Sequence, residues 1–277
     1  MLDPEPGVGA YLFGPAAVLS AWVLSLSASG LWSRNVGETS CAWRVNYSPD
    51  GRAFGIWGAI YLLTFVTAIL QMLQVIAVLD WWVNFLWALT WALCSLWVPL
   101  FDAEYAGALR SSAVVILCAA GCATAGAARS EMWLAKDWAQ RGRQLAAGVP
   151  LTLLAGWLLA ASAIGTGIAI KASAPDAYSS CVRVPPRRPD ESTRAYRERR
   201  RVLYREAYAK EYVSPSIVPL FLALAVGGLA VAIRDPVLPL PLCWAVVNLR
   251  DFPTLVYMAS LVVLLCAATE AGVRVFL

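Results

Sequence analysis

The chain is 277 residues long, 60% hydrophobic and 14% charged, with a formal net charge of +4 and no histidine. An ordinary soluble domain is about 45–50% apolar and about 25% charged, so this balance belongs to a bilayer rather than to water. Without imidazole there is no Ser-His-Asp triad, His-ligated zinc or His-ligated haem, and the seven cysteines form no CxxC pair for a zinc ribbon or redox dithiol.

Eight weakly charged runs organise the sequence: 9–32, 53–79, 81–101, 107–128, 147–170, 216–233, 237–249 and 252–277. Of the 22 Lys/Arg and 18 Asp/Glu, only Arg110, Glu270 and Arg274 fall inside them. About 20 apolar residues cross the hydrocarbon, so most runs suffice. The expected fold is all-α, a polytopic transmembrane bundle of about eight helices.

Asp3 and Glu5 precede the first run and the first basic residue is Arg34, the reverse of a signal or transit peptide. That run therefore reads as a retained helix. The second run carries Trp57 and Tyr61 four residues apart; the third carries Asn84, Trp87 and Trp91 at spacings of three and four. Each set shares a helix face. In the fourth run Cys118 and Cys122 stand one turn apart with no nearby carboxylate, and read as small packing residues. The fifth run holds Trp157 deep within it.

A loop over about 172–215 follows and concentrates the charge, with ten Lys/Arg and five Asp/Glu between 183 and 212. Within it, 190–212 reads as a basic amphipathic helix opened by Asp190. Tyr196, Arg200, Tyr204, Tyr208 and Tyr212 share one face at multiples of four. That face suits anionic lipid or a protein partner, and equally a solvated helix lying over the bundle's own loops. Nucleic acid is not an expected partner.

Of the last three runs, the seventh is the shortest. Pro236, Pro239 and Pro241 crowd its start, and thirteen residues separate Asp235-Pro236 from Arg250. A short helix from near Pro239 fits, and so does a re-entrant or interfacial piece, which leaves seven spans. In the eighth run Glu270 and Arg274 form an i,i+4 pair near the end. The runs carry no ionisable group at mid-membrane, which disfavours ion pumping.

With eight spans, 16 Lys/Arg fall on the side of the long basic loop and 6 on the other. The charge bias puts that loop on the cytosol-, matrix- or stroma-equivalent side and both termini opposite. Cys41 and Cys181 share the loop's reducing side, where free thiols are expected. The chain divides into 1–171, the loop 172–215 and the C-terminal membrane helices 216–277.

The thirteen tryptophans are the most informative residues. Some are interfacial belts: Trp32, Trp81, Trp82, Trp133 and Trp138 sit at expected helix ends. Trp57, Trp87, Trp91 and Trp157 lie deeper, where an indole N–H needs a partner within the bundle. The Trp57/Tyr61 and Trp87/Trp91 ridges with Asn84 make a lining for a flat apolar ligand, although aromatic stripes also serve as ordinary packing.

The stretch Ser48-Pro49-Asp50-Gly51-Arg52-Ala53-Phe54-Gly55-Ile56-Trp57-Gly58-Ala59-Ile60-Tyr61 resembles the Pro-x-x-x-x-Phe-x-x-Trp-x-x-Leu-Tyr entry to the second helix of the tryptophan-rich sensory protein family. This family is also called translocator protein or peripheral benzodiazepine receptor. Asn84-Phe85-Leu86-Trp87 is similar to the Asn-x-x-Trp of its third helix, and Pro150, Gly156-Trp157 and Ala161 to the pattern of its fifth. Trp244-Ala245 matches a late pair found in longer relatives. Gly165 departs from the family's usual asparagine, and three helices are added to its five.

The resemblance implies a five-helix bundle that binds porphyrins, sterols or similar ligands in a bacterial or organellar membrane, mitochondrial or plastid locations included. Carried over, Trp57, Tyr61, Asn84, Trp87 and Trp157 line the pocket, and Trp91 joins them on its ridge. No cofactor is required, and a tetrapyrrole or lipid would be held without a covalent bond. The expected protein is not an enzyme. It binds or carries a hydrophobic ligand or, as the alternative, serves as a non-catalytic scaffold subunit of a large organellar bioenergetic complex.

Overall fold

The computed structural model describes residues 8–43, 45, 47–48, 51–76, 78–101, 106–130, 138–173, 192, 195, 199, 218–249 and 254–276. Eight α-helices and no strand occur among the described residues, so the all-α bundle expected from composition is the fold. They are α1 (Val8–Ala42), α2 (Gly55–Met72), α3 (Trp81–Leu100), α4 (Ala106–Arg129), α5 (Trp138–Ala172), α6 (Val218–Ile233), α7 (Leu240–Val247) and α8 (Thr254–Phe276). A 3₁₀ turn, Gly51–Phe54, leads into α2.

The ends of these helices have local causes. The Val83 N–H donates to Asp80 Oδ1 at 3.0 Å, an N-cap that starts α3. Arg129 at the end of α4 donates to the other oxygen of Asp80 at 3.1 Å, which joins two helix termini. After α2, Gln74 takes φ 57° and the Val75 N–H closes on the Leu70 carbonyl at 2.9 Å, a left-handed stop made without glycine.

The first five helices close on themselves. α1 packs on α3 and α2, α3 on α4, α4 on α5, and α5 on α2, so the order around the circuit is α1, α3, α4, α5, α2. Lipid tails are as apolar as leucine, so association inside a bilayer rests on close packing and hydrogen bonds. Small residues supply the closeness: a Cβ at Gly126 would lie 3.1 Å from Leu151, and one at Gly14 2.9 Å from Asn84. Outside the circuit α6 and α7 pack on α5, and α8 packs on both.

Six segments are long and apolar enough to cross a membrane: Phe13–Trp32, Gly51–Met72, Trp81–Leu100, Gly107–Arg129, Gln144–Ala172 and Met258–Val275. The seventh run does not cross. α7 has eight residues and rises about 12 Å, well short of the hydrocarbon. Val218 and Leu222 at the start of α6 line the same crevice as Val246 in the last turn of α7 and Leu249 just after it. α6 and α7 are therefore a hairpin that enters and leaves on one side, the side of the 43–54 loop. This is the re-entrant alternative, and it comes with a sixth run that turns back with the seventh.

The turn of the hairpin is held by a buried acid. Asp235 is 1% exposed; it accepts from the Thr152 hydroxyl on α5 at 2.9 Å and from the Val237 and Leu238 N–H groups at 2.9 and 3.3 Å. Arg234 before it takes φ 57°, and the Asp235 N–H closes on Ala230 O at 2.8 Å to end α6. Beside this lock the Leu238 carbonyl lies against Gly156, in space that a Cβ would fill. Thr67 on α2 donates to Ala146 O on α5 at 3.3 Å, which sets the register of these antiparallel helices. Six residues further along each, Thr152 lies at about the depth of Tyr61. An ionisable group thus does sit within the membrane-spanning layer, contrary to the sequence expectation, because the hairpin carries it in.

The Glu270–Arg274 pair forms as expected, at 2.8 Å and exposed. Cys118 is exposed and Cys122 only half-buried, so Cys118 faces outward rather than packing. In the basic segment the Ala195 N–H donates to Ser192 Oγ at 3.1 Å, the geometry of an N-cap, and Ala195 and Arg199 are helical. The tyrosine face expected there (Tyr196, Arg200, Tyr204, Tyr208, Tyr212) and Cys181 lie outside the described residues.

Candidate functional site

Three helices bring aromatic rings together inside the circuit. Trp57 and Tyr61 on α2 stand 5.9 Å apart by ring centroids, and Tyr61 lies 4.8 Å from Trp91 on α3. Trp57 reaches Trp91 at 6.4 Å and meets Trp157 on α5 edge-on at 6.2 Å and 84°. Phe54, in the 3₁₀ turn, adds a second edge contact to Trp157 at 6.0 Å. Edge-to-face and tilted contacts suit the ring quadrupole, each contributing about 0.5–1.5 kcal/mol beyond burial.

The two ridges read from the sequence are therefore in direct contact. They leave no slot between them. Trp87 is fully buried one turn from Trp91, and Asn84 is buried one turn further on, where its amide donates to Leu79 O at 2.8 Å. Neither adds a ring to the cluster. A small apolar crevice of about 30 Å³ lies elsewhere, between α5 and the hairpin, lined by Tyr47, Ala160, Ile164, Leu222 and Val246 among others. It has room for little more than a water molecule.

Tyr61 is tied to α1 by both its ends. Its hydroxyl is 2.9 Å from Ser25 Oγ and 3.1 Å from Ser29 Oγ, and its carbonyl accepts from the Trp22 indole at 3.0 Å. The sequence reading missed this latch. Its signal is Trp22, Ser25 and Ser29 at helical spacing in an apolar run, a weak one because serines in such runs commonly bond back to their own helix. Tyr61→Phe removes both hydroxyl contacts and leaves the ring contacts. The expected loss is about 1 kcal/mol, read as a lower thermal midpoint of the detergent-solubilised protein, while Ser29→Ala alone loses less.

The electrostatics of the interior are as distinctive as its rings. The indole N–H groups of Trp87, Trp91 and Trp157 are buried and have no acceptor. Each of these three residues is at most 1% exposed. An unsatisfied buried donor costs about 1–3 kcal/mol, so three in one interior are a standing demand for acceptor atoms. Among the described residues no group of three His, Cys, Asp or Glu is placed to hold a metal ion.

Residues 13–178 match the family model described as TSPO-like protein. No curated protein and no solved structure gives a match. The matched region covers more than half of the sequence and takes in nearly all of the five-helix circuit, while the hairpin and α8 lie beyond it. On that match the chain is an integral membrane protein of the TSPO-like, tryptophan-rich sensory family.

Proposed function

We propose that this protein binds or carries a flat, hydrophobic ligand of tetrapyrrole or sterol type inside the five-helix circuit, without chemistry on it. The observation that carries the reading is the set of acceptor-less indole N–H groups of Trp87, Trp91 and Trp157 beside the Trp57/Tyr61 pair. A ligand with a flat apolar body replaces ring–ring contacts with ring–ligand contacts, and its heteroatoms supply the missing acceptors. A mitochondrial or plastid membrane is the proposed setting.

Protoporphyrin IX added to the purified protein is expected to quench tryptophan fluorescence saturably. Trp91→Leu with Trp157→Leu should weaken binding at least about tenfold, or 1.4 kcal/mol. Trp82→Leu, exposed at the start of α3, is the control and keeps wild-type affinity. Absence of saturable quenching, or equal loss in the control, overturns the reading.

One observation favours the scaffold alternative: the hairpin, on which α8 packs, is locked to α5 at Asp235–Thr152, an attachment that a small-ligand site does not require. Native mass spectrometry of protein extracted from its own membrane separates the two. Release with partner subunits and no ligand supports the scaffold.

A further inference from the structure

Trp244 makes a contact that neither the ring cluster nor the hairpin lock accounts for. It stands on α7, and its indole N–H donates to the carbonyl of Ala53, 191 residues earlier, at 3.0 Å. Ala53 is fully buried in the 3₁₀ turn that leads into α2. The Trp244 ring is 43% exposed, so its burial contributes little and its N–H is the part that joins two elements.

The joined ends belong to opposite walls of the cluster. α7 is seated on α5, where Leu238 and Pro241 lie against Gly156, the residue before Trp157. Ala53 is followed by Phe54 and, three residues on, by Trp57, and both of those rings meet Trp157 edge-on, at 6.0 and 6.2 Å. The hairpin thus bridges the seam between α2 and α5 at the height of the rings.

α2 is the wall that can move. Of the five spans in the circuit it is the least buried, and its seam with α5 is the least extensive. Phe54 stands at its N-cap without a side-chain hydrogen bond, so the helix start is not fixed by a cap of its own. The hydrogen bond from α2 to α5, Thr67 to Ala146, lies ten residues beyond Trp57, about 15 Å along the axis. Tyr61, between the two, holds α2 to α1. The loop-side end of the α2–α5 seam therefore rests on edge-on ring contacts and on Trp244. Phe54 is 39% exposed, so parting it and Trp57 from Trp157 opens the cluster sideways to the lipid, where a hydrophobic ligand is dissolved.

We propose that Trp244 is a positioning residue for the cluster: its bond to Ala53 clasps the start of α2 to the hairpin and sets how often Phe54 and Trp57 part from Trp157 to let a ligand pass between α2 and α5. The proposal rests on the ligand-binding reading above and adds to it the route of entry and what governs its rate. The clasp is closed before and after passage and open during it, so it acts on rates and leaves the affinity alone. A hydrogen bond of this kind shifts such an equilibrium about fivefold.

The test is Trp244→Phe, which keeps an aromatic ring and removes the N–H, in the full chain in lipid nanodiscs. Stopped-flow tryptophan quenching by protoporphyrin IX is expected to show association and dissociation both about fivefold faster, with the equilibrium affinity within about twofold of wild type. In an Asp235→Ala background, where the hairpin is already released, adding Trp244→Phe should change neither rate. Unchanged rates in Trp244→Phe, or weaker affinity without faster association, overturn the proposal, because the ring is then packing alone. A further rise in the Asp235→Ala background also overturns it, since the effect then does not act through the hairpin. Hydrogen exchange reads the clasp without a ligand: the amides of 55–61 should exchange about fivefold faster in Trp244→Phe, while those of 65–72 keep their rates. Equal acceleration of both stretches is general loosening and overturns the clasp, as does no change in either. If protoporphyrin IX gives no saturable quenching with the wild type, the ligand-binding reading itself has failed, and the exchange rates alone decide the clasp.

Discussion

Gly156→Val is expected to unseat the C-terminal hairpin while leaving the five-helix circuit assembled. A Cβ at this position falls on the Leu238 carbonyl oxygen and within 3.1 Å of Pro241. The obstruction is backbone, so no rotamer change relieves it. α5 and the hairpin must separate, and the Thr152–Asp235 bond nearby is stretched with them. Overpacking alone costs about 1–3 kcal/mol, and a broken buried hydrogen bond adds to it. Cys243, half-buried in α7, is the reporter. Its maleimide labelling rate, followed by mass spectrometry, should rise at least about tenfold, while Cys94, fully buried on α3, stays protected. An unchanged rate at Cys243 would mean that the hairpin does not depend on this contact.

Asp235→Ala is expected to destabilise the same junction from its other side. It strands the Thr152 hydroxyl and the N–H groups of Val237 and Leu238 in a low-dielectric layer. At about 1–3 kcal/mol for each unsatisfied group, the sum is large enough to release the hairpin. Asp235→Asn keeps an acceptor for the two N–H groups and an amide that can donate to Thr152, so it should retain most of the stability. The midpoints of thermal unfolding of the two variants, read with Cys243 labelling, check this. If Asn and Ala behave alike, hydrogen bonding by Asp235 is not what holds the turn.

The pattern of charge made the helices legible and left their directions open. α3 begins at Trp81 and α6 ends at Ile233, where the charge-free runs do, because Asp80 and Arg234-Asp235 sit at those limits. α1 and α5 run beyond their apolar stretches, to Ala42 and back to Trp138, because helix geometry does not need an apolar sequence once the helix has left the lipid. Whether α7 crosses depends on Thr152 with Asp235 and Gly156 with Leu238, contacts between residues some eighty apart, and periodicity carries no information about those.

The site divides in the same way. The spacings of Trp57/Tyr61 and Trp87/Trp91 identify the ridges, yet nothing in either run says that Tyr61 and Trp91 meet at 4.8 Å instead of flanking a slot. Ser25 and Ser29 passed unnoticed because a lone polar residue in an apolar run acquires meaning only from the helix opposite, here from Tyr61.

A hairpin that comes back to its own side contributes nothing to the parity of the chain. Five crossings and one more make six, an even number, as eight would have been. The outer ends of α1 and α8 therefore share a face, opposite the connection between α5 and α6, whether the sixth and seventh runs cross or turn back. A pair of helices that turns back within the layer can in this way be gained or lost between two crossings while every later helix keeps its orientation.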